Sequence, residues 1–164
     1  MTKEIITQDY VKQLFEYRDG ELYWKVKPSK KVLIGAKVGN LNQSGYFHLQ
    51  LNKKTYKTHR IIFLMHYGYL PNCLDHIDGN PLNNKFENLR PATVNQNAYN
   101  SKLIKNNTSG VKNVSWYKLT NKWHVRVKIN GKEKSFGYFK DLELADLVAQ
   151  EARDKYHGKF ANHG

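Results

Sequence analysis

Apolar residues recur at two different spacings along this 164-residue chain, and each spacing predicts one type of element. Near the N-terminus, Val11, Leu14 and Phe15 have the three- and four-residue spacing of one helix face, and Thr7 is placed to cap the helix. The segment ELYWKV, which follows an Asp-Gly turn, has the composition of a strand. The chain is therefore predicted to begin with a short helix followed by a strand.

A strict alternation of apolar and polar residues runs through GYFHLQLNKKTYKTHR. Phe47, Leu49 and Leu51 fall on one side of the predicted strand, and the loop is placed at Asn52-Lys53-Lys54. This pattern predicts a β-hairpin with one basic face exposed to solvent. The apolar run RIIFLMHYG is too continuous to assign by period, but its length and its terminal Gly68 favour a buried helix.

A second alternating segment, VKNVSWYKLTNKWHVRVKINGKEKSFGYF, divides into three strand candidates. The middle strand alternates between apolar residues and His124, Arg126 and Lys128, and Asn130-Gly131 is a strong hairpin signal. Asp141 is placed to cap a following helix that carries a continuous apolar stripe. The apolar face of the strands is expected to pack on this helix, which leaves the basic face free.

The charge changes the picture, because the chain carries a net charge of +13 and has a pI of about 9.7. No Asp or Glu occurs between Leu22 and Leu74, and Glu133 is the single acid between Lys102 and Lys134. Solvated surfaces normally mix both signs, so these two basic blocks predict a polyanionic partner. The lysines lie in strand-like sequence and not in an amphipathic helix, which favours nucleic acid over a membrane surface.

The most unusual segment, from Leu74 to Asn100, reads LDHIDGNPLNNKFENLRPATVNQNAYN and contains seven asparagines and one Asp-His pair. Asn, Asp and Gly are common in turns, so a long loop is the simplest interpretation. The same residue types also suit metal-assisted phosphodiester hydrolysis: a neutral imidazole can accept a proton from water, and carboxylate and amide oxygens bind hard cations. An EF-hand calcium loop is excluded, because alignment of its glycine places Leu74 first and Lys85 last.

This segment resembles the core of HNH-family endonucleases of the phage and intron-encoded homing type, through its Asp-His pair, DGNPLNN, ENLR and Asn-rich end. The resemblance implies a ββα-metal core that holds one divalent ion, Mg²⁺ or Mn²⁺, per active site. It implies that Asp75 and Asn97 are metal ligands and that His76 is the general base. It also implies that Asn88 braces the loop so that His76 points correctly. Asn97 stands where many relatives have histidine, which favours oxygen-preferring metals over zinc.

Some positions in this segment have more than one interpretation. Asn95 and Asn100 are alternatives for the second metal ligand if the helix is misplaced along the sequence. Asn83 and Asn84 are interpreted as loop formers, and the histidines other than His76 as structural residues.

From about Thr108 to its end, the chain resembles AP2 DNA-binding domains, through SGVKNVSWYK, NKWHVRVKINGK, SFGYF and ARDKYHGKFA. The resemblance implies a three-stranded sheet in the major groove of DNA, with a helix packed behind it. The candidate DNA contacts on that sheet are Lys112, Tyr117, Lys118, His124, Arg126, Lys128 and Ser135. Trp123 is expected in the core, whereas Trp116 has two interpretations, stacking on a sugar or packing in the core.

The segment from Lys25 to Arg60 resembles, more loosely, the β region that precedes the nuclease core in this family. It is expected to add a second DNA-contacting sheet. His59 and Arg60 are close enough to the core in sequence to support the site, and Arg60 is a further candidate phosphate contact.

The predicted fold class is α+β: a ββα-metal core, preceded by a small antiparallel β region and followed by a three-stranded sheet with one helix. The β region and core occupy residues 1–100, with the core at about 59–100. A polar linker spans 101–107, and the AP2-like domain spans 108–164. A chain that ends near Lys105 is therefore expected to retain a folded nuclease core.

The predicted function is site-recognising, divalent-metal-dependent cleavage of double-stranded DNA that leaves 5′-phosphate and 3′-hydroxyl ends, as in a homing or phage-encoded nicking enzyme. One active site in one chain predicts that one strand is cut unless the protein dimerises, and the oligomeric state stays open. The alternative is a DNA-binding regulator with a decayed nuclease core, which the intact Asp75, His76, Asn88 and Asn97 set disfavours. RNA binding is less favoured, because the grooves of A-form helices suit such a sheet poorly.

The sequence implies no membrane association and no protein partner. No apolar run approaches the roughly 18 residues of a membrane span, and the N-terminus lacks the apolar segment of a secretory signal. The single cysteine, Cys73, excludes an internal disulfide and a four-cysteine zinc site. An intracellular protein is expected, in the host cytoplasm if the gene belongs to a phage.

Overall fold

The computed structural model describes residues 6–164 and has the mixed α+β fold that the sequence predicts. The α-helices in this range are α1 (Gln8–Leu14), α2 (Thr58–Tyr67), α3 (Val94–Tyr99) and α4 (Leu142–His157). The β-strands are β1 (Phe15–Arg18), β2 (Glu21–Trp24), β3 (Asn40–Leu41), β4 (Phe47–Leu51), β5 (Lys54–Lys57), β6 (Cys73–His76), β7 (Leu89–Ala92), β8 (Val114–Tyr117), β9 (Lys122–Ile129) and β10 (Lys132–Phe139). No helix among these residues is long and apolar enough to cross a membrane.

The chain divides into two compact units, one that ends at Pro91 and one that runs from Ala92 to Gly164. The division precedes α3, whereas the predicted nuclease core continues through Asn100. The helix that carries Asn97 therefore belongs to the second unit by its contacts.

The core of the first unit is built around α2, which is the buried helix expected from the apolar run. Ile61, Ile62 and Phe63 are almost completely inaccessible to solvent and pack with residues of α1, β1 and β2. The helix ends at Gly68, whose φ of 76° lets its N–H bond the Leu64 carbonyl at 3.0 Å. The same unit confirms the predicted N-terminal helix, because the Thr7 side chain accepts a hydrogen bond from the backbone N–H of Tyr10.

The predicted hairpin in the first unit is formed by β4 and β5, which pair antiparallel in a sheet of order β3-β4-β5. Its turn consists of Asn52 and Lys53, with φ values of 50° and 61°, and Lys54 already belongs to β5. The loop is thus one residue shorter than expected, because Asn and Lys both adopt the left-handed conformation that a two-residue turn requires. Leu49 and Leu51 are buried and Gln50 is exposed, in agreement with the alternation.

Two strands flank the loop within the Asn-rich segment, and α3 follows them. β6 and β7 form a two-stranded sheet, and a long loop with a short 3-10 turn at Phe86–Asn88 connects them. The loop begins with a hydrogen bond from the N–H of Ile77 to the carbonyl of Asn88, 2.8 Å long.

The second unit contains the predicted sheet of three strands and the predicted helix. The strand order is β10-β9-β8, with antiparallel pairing throughout, and α4 packs on one side. Val114 and Val125 of the sheet form its core with Ala145 and Ala149 of α4. Asp141 caps α4 by accepting the N–H of Leu144 at 2.8 Å, as expected from its position in the sequence.

Candidate active site

Strand β6 carries Asp75 and His76 into the interior of the first unit. Leu74, Asp75 and His76 are all buried, with 3% of Asp75 and 6% of His76 exposed. Two consecutive polar side chains on a buried strand are costly unless each has a polar partner. The partners of this pair define the chemistry of the site.

Asn84 is the partner of His76. The Nε2 atom of His76 lies 3.0 Å from Oδ1 of Asn84, and Asn84 is itself 97% buried. Because an amide oxygen can only accept, Nε2 carries the proton in the neutral ring and the lone pair is on Nδ1. Burial lowers the pKa of His76 below its usual value, which favours this neutral form. Asn84 was interpreted as a loop former from sequence; in the structure it holds the ring of His76.

The remaining asparagines organise the loop around one carboxylate. Asp78 accepts hydrogen bonds from the N–H of Asn80 at 2.8 Å and from the side-chain amides of Asn83 at 2.7 Å and Asn88 at 2.9 Å. Burial alone would raise the pKa of Asp78, but these three hydrogen bonds outweigh it and lower the pKa. The carboxylate is thus kept ionised as the acceptor at the centre of the loop.

Asn88 connects the two sides of this loop. Its Oδ1 accepts the N–H of Asp78 at 3.1 Å, and its Nδ2 donates to the carbonyl of Asn83 at 2.8 Å in addition to the Asp78 carboxylate. A single side chain therefore ties the residues just after His76 to those just before β7. A loop-bracing role for Asn88 would depend on these contacts.

Asp75 forms a buried ion pair with Arg90 of β7. The Nε and Nη2 atoms of Arg90 lie 2.8 and 2.7 Å from Oδ2 of Asp75, and the two side chains are 15% and 4% exposed. Sequence analysis missed this arginine. The available signal was its place on the strand that follows the loop, where β6 and β7 must pair to close the hairpin.

The metal ligands predicted from sequence are oxygen donors, which suit a hard divalent cation better than zinc. A carboxylate, as in Asp75, and an amide oxygen, as in Asn97, are both ligand types that Mg²⁺ and Mn²⁺ accept. Among residues 6–164, no group of three or more His, Cys, Asp or Glu side chains is placed to hold a metal ion. An ion bound through so few protein oxygens would keep positions for water and for phosphate oxygens.

Aromatic rings surround the other side of His76. The ring of His59 lies edge to face with it, with centroids 4.8 Å apart, and the ring of Tyr46 lies 6.2 Å away. The ammonium of Lys57 stands over Tyr46 at 3.9 Å from its centroid. Burial, with the nearby His76, lowers the pKa of His59 to about 3. The apolar surroundings thus favour neutral imidazoles at both histidines.

Arg60, the predicted phosphate contact beside His59, points elsewhere. Its Nη2 donates to the carbonyl of Pro71 at 2.9 Å, so the side chain contacts the loop that precedes β6. The structure thus brings His59, and not Arg60, to the Asp-His pair.

Helix α3 carries Asn97 and the two alternative asparagines. Thr93 and Gln96 form a reciprocal capping box at its start, and Asn97 is exposed. Asn100 is buried, and it accepts hydrogen bonds from Asn162 on its carbonyl at 3.1 Å and on its Oδ1 at 3.2 Å. The structure gives Asn100 a packing role, whereas Asn95 and Asn97 are exposed.

In the second unit, the sheet face opposite α4 carries most of the predicted DNA contacts. Directly paired residues share a face of a sheet, and the register pairs Tyr117 with Lys122, His124 with Tyr138, and Arg126 with Ser135. This set, together with Lys128, is called the outer face. Lys118 is exposed in the turn after β8.

Rings cluster on the outer face. His124 stacks on Tyr138 with centroids 4.1 Å apart, Tyr117 lies 5.3 Å from Tyr138, and His124 Nε2 is 2.8 Å from the Ser135 hydroxyl. Burial and the nearby Arg126 lower the pKa of His124. Tyr138 was missed from sequence because a bulge between Ser135 and Gly137 shifts the alternation of β10 by one residue.

Three predicted residues of this unit differ in their surroundings. Lys112 is half-buried and donates to the carbonyls of Tyr99, at 3.2 Å, and Ser101, so it is separate from the outer face. Trp123 packs against the core, as expected. Trp116 pairs with Trp123 on the same side of the sheet, at 4.9 Å between rings, but stays 43% exposed.

Comparisons with known proteins find similarity to the HNH endonuclease family and to two viral proteins. The family described as HNH endonuclease matches residues 56–99, which include α2, β6, the loop, β7 and α3. Protein 3.8 of Escherichia phage T7 is 42% identical over 90 residues, which cover 54% of this chain and 72% of that protein. An uncharacterized HNH endonuclease, L560, of Acanthamoeba polyphaga mimivirus is 34% identical over 125 residues, or 74% of this chain, and the match spans 63% of that protein.

A comparison of structures adds one similar chain. A structure that reports DNA binding and cleavage by the HNH homing endonuclease I-HmuI is 26% identical, with a TM-score of 0.36. The match covers 72% of this chain and 68% of that one.

Proposed function

The chain belongs to the HNH endonuclease family and is a nuclease, and we propose that it is a site-recognising endonuclease that cuts one strand of double-stranded DNA. The observation that carries the proposal is the buried His76, whose ring is fixed through Nε2 by Asn84. This arrangement leaves Nδ1 as the basic atom in the segment that matches the family.

His76 is proposed to act as the general base. Its neutral ring, favoured by burial, accepts a proton from water at Nδ1 as the water attacks the phosphorus atom. Asn84 fixes the tautomer by accepting the Nε2 proton, and Asn88 holds the loop that supplies Asn84. The attack in line with the departing 3′ oxygen leaves a 5′-phosphate and a 3′-hydroxyl.

Asp75 and Asn97 are proposed to hold one divalent ion, Mg²⁺ or Mn²⁺. When bound, such an ion supplies charge stabilisation on the phosphate and on the leaving 3′ oxygen. Arg90 holds the Asp75 carboxylate in a fixed orientation through two contacts on Oδ2. The arginine also offsets the charge of a buried carboxylate, which would otherwise be costly.

The outer face of the second unit is proposed to hold the duplex as an AP2-like surface. It combines the positive Arg126 and Lys128 with the partly exposed rings of Tyr117, His124 and Tyr138. Cations give affinity through phosphates, and side chains that reach base edges give sequence preference. Site recognition would then come mainly from this face.

The test is the rate at which His76→Ala nicks supercoiled plasmids that carry segments of the source genome. Loss of a general base lowers the rate by about 10²–10⁴-fold, so nicked circles should form that much more slowly with Mg²⁺. DNA affinity, measured by fluorescence anisotropy, should stay unchanged, because His76 is not on the outer face. His48→Ala, which removes a half-buried histidine of β4, is the control and should nick at the native rate. Native nicking by His76→Ala would refute the assignment, and binding without cleavage by the unaltered protein would favour the regulator.

A further inference from the structure

Tyr99 anchors the end of α3 to the rest of the second unit. Its ring is 92% buried and stacks on His157 of α4, with centroids 3.7 Å apart and planes only 5° from parallel. Its hydroxyl accepts the N–H of Asn130, in the β9–β10 turn, at 2.7 Å. One side chain thus connects α3 to both the helix and the sheet of that unit.

The residues that follow Tyr99 are held by the same unit. The ammonium of Lys112 donates to the carbonyls of Tyr99 and Ser101, and burial lowers the pKa of Lys112 to about 8. Asn162, near the C-terminus, donates to the carbonyl and the side chain of Asn100. The carbonyl of Lys112 in turn accepts a 2.6 Å hydrogen bond from Arg153, which is completely buried.

α3 is too short to hold its own position. It has six residues, and a helix of that length gains too little from its own hydrogen bonds to offset the cost of nucleation. The capping box at Thr93 satisfies its first N–H groups but does not place the helix in space. The contacts of Tyr99 and Asn100 supply that placement within the second unit.

The geometry of the helix separates the anchor from the ligand. Successive residues are 100° apart around an α-helix, so Asn97 points about 200° away from Tyr99, on nearly the opposite side. The burial of Tyr99 and the exposure of Asn97 agree with this direction. Fixing the ring of Tyr99 therefore fixes the direction in which the amide of Asn97 points.

We propose that Tyr99 and His157 are positioning residues for Asn97, so that the second unit orients a metal-ligand helix as well as holding DNA. The inference depends on the proposed role of Asn97 as a ligand. It assigns a function to the Tyr99–His157 stack that a DNA-binding module alone does not require. It also gives the half-buried Lys112 a role in holding the helix end.

The test compares three substitutions of α4 residues in the full-length protein. His157→Ala removes the stacked ring, and His157→Phe keeps a stacked ring but loses the hydrogen bond from Nε2 to the carbonyl of Lys128, 2.9 Å long. Tyr156→Ala is the matched control, because it removes the neighbouring aromatic ring of α4, which packs on Phe136. Amide hydrogen exchange is measured at the N–H groups of Asn97 and Asn100, which bond within the helix.

In His157→Ala these two amides should exchange about 10-fold faster, while those of α4 keep their native rates. His157→Phe should restore slow exchange, and Tyr156→Ala should leave it unaltered. A second readout is the affinity of the DNA-free protein for Mn²⁺ alone, measured by electron paramagnetic resonance. Loss of a supporting partner typically lowers metal affinity by about 10–100-fold, and His157→Ala should show such a loss.

Failure of the inference and failure of the proposed function give different results. Native exchange of the α3 amides in His157→Ala would overturn the anchoring. If Asn97→Ala keeps the native Mn²⁺ affinity, Asn97 is not a ligand and the proposed function needs revision, whatever the exchange rates are. Faster exchange together with weaker Mn²⁺ binding, both rescued by His157→Phe, would support the inference.

Discussion

Two histidines with different surroundings face each other in the first unit. His76 has a polar partner in Asn84, which gives its ring a defined tautomer. His59 lies edge to face with it among Tyr46 and residues of α2, and is 95% buried. Proton uptake by His59 would place a charge in apolar surroundings, beside the positive Lys57 and Arg60. His59 therefore links the stability of the unit to pH.

Acid should destabilise the first unit through His59. The pKa of His59 is about 3 when folded and about 6.5 when unfolded, so the unfolded chain binds more protons between these values. The free energy of unfolding is thus fully retained above pH 6.5 and decreases as the pH falls towards 3. From pH 7 to pH 5 this one group should remove about 2 kcal/mol.

Urea titrations at pH 7 and pH 5 would measure the effect. His59→Gln should be less stable at pH 7, because it loses packing, but should lose about 2 kcal/mol less than the native protein on acidification. His48→Gln is the control, because it replaces a half-buried histidine of β4 and leaves His59 in place. An equal loss in His59→Gln and the native protein would show that His59 is not the responsible group.

At the scale of elements, local patterns predicted the secondary structure well. The apolar run and Gly68 fixed α2, Asp141 fixed the start of α4, and Asn130-Gly131 fixed the β9–β10 turn, because each signal acts over a few residues. Partners distant in sequence were not predictable. Arg90 on Asp75 and His157 on Tyr99 depend on which elements meet, and a single sequence does not encode that directly.

The outer face of the second sheet contains one acid, Glu133, that would oppose the proposed DNA binding. Glu133 lies 3.1 Å from Arg126, and both side chains are exposed, so the pair contributes little to stability. A phosphate must compete with this carboxylate for the guanidinium. If the outer face binds DNA as proposed, the pair moderates its affinity.

Removal of that carboxylate should strengthen DNA binding. Glu133→Gln releases Arg126, which should add one phosphate contact and steepen the dependence of log affinity on log salt by about 0.9. Affinity would be measured by anisotropy at several salt concentrations. Glu151→Gln makes the same change of charge at an exposed position of α4 and is the control. It should have a smaller effect on the salt dependence of affinity. Unaltered or weaker binding by Glu133→Gln would argue against Arg126 as a phosphate contact.

At the scale of the whole molecule, the second unit is proposed to serve both DNA cleavage, through Asn97, and DNA binding, through the outer face. The first unit has its own hydrophobic core around α2 and carries Asp75 and His76. The second unit carries both the outer face and α3. Loss of the second unit should consequently affect more than DNA affinity.

Truncation after Lys105 tests this combination. It removes 11 Lys and Arg residues and six Asp and Glu residues, so the truncated chain loses a net charge of +5. DNA binding should weaken, with a shallower salt dependence. The first unit should stay folded, but α3 loses Lys112, Asn130, His157 and Asn162 as partners, so cleavage should be lost even when the DNA is saturated with protein.

A full-length double variant separates the two effects. Arg126→Ala with Lys128→Ala weakens the outer face but keeps the stacking of Tyr99 on His157 and its hydrogen bond from the N–H of Asn130, because neither altered side chain takes part in them. At saturating protein this variant should nick DNA at close to the native rate, since only binding is impaired. The truncated protein should stay inactive under the same conditions, with binding checked by anisotropy. Full-rate nicking by the truncated protein at saturation would show that the first unit and α3 need no support from residues 106–164, and that the second unit serves DNA binding alone.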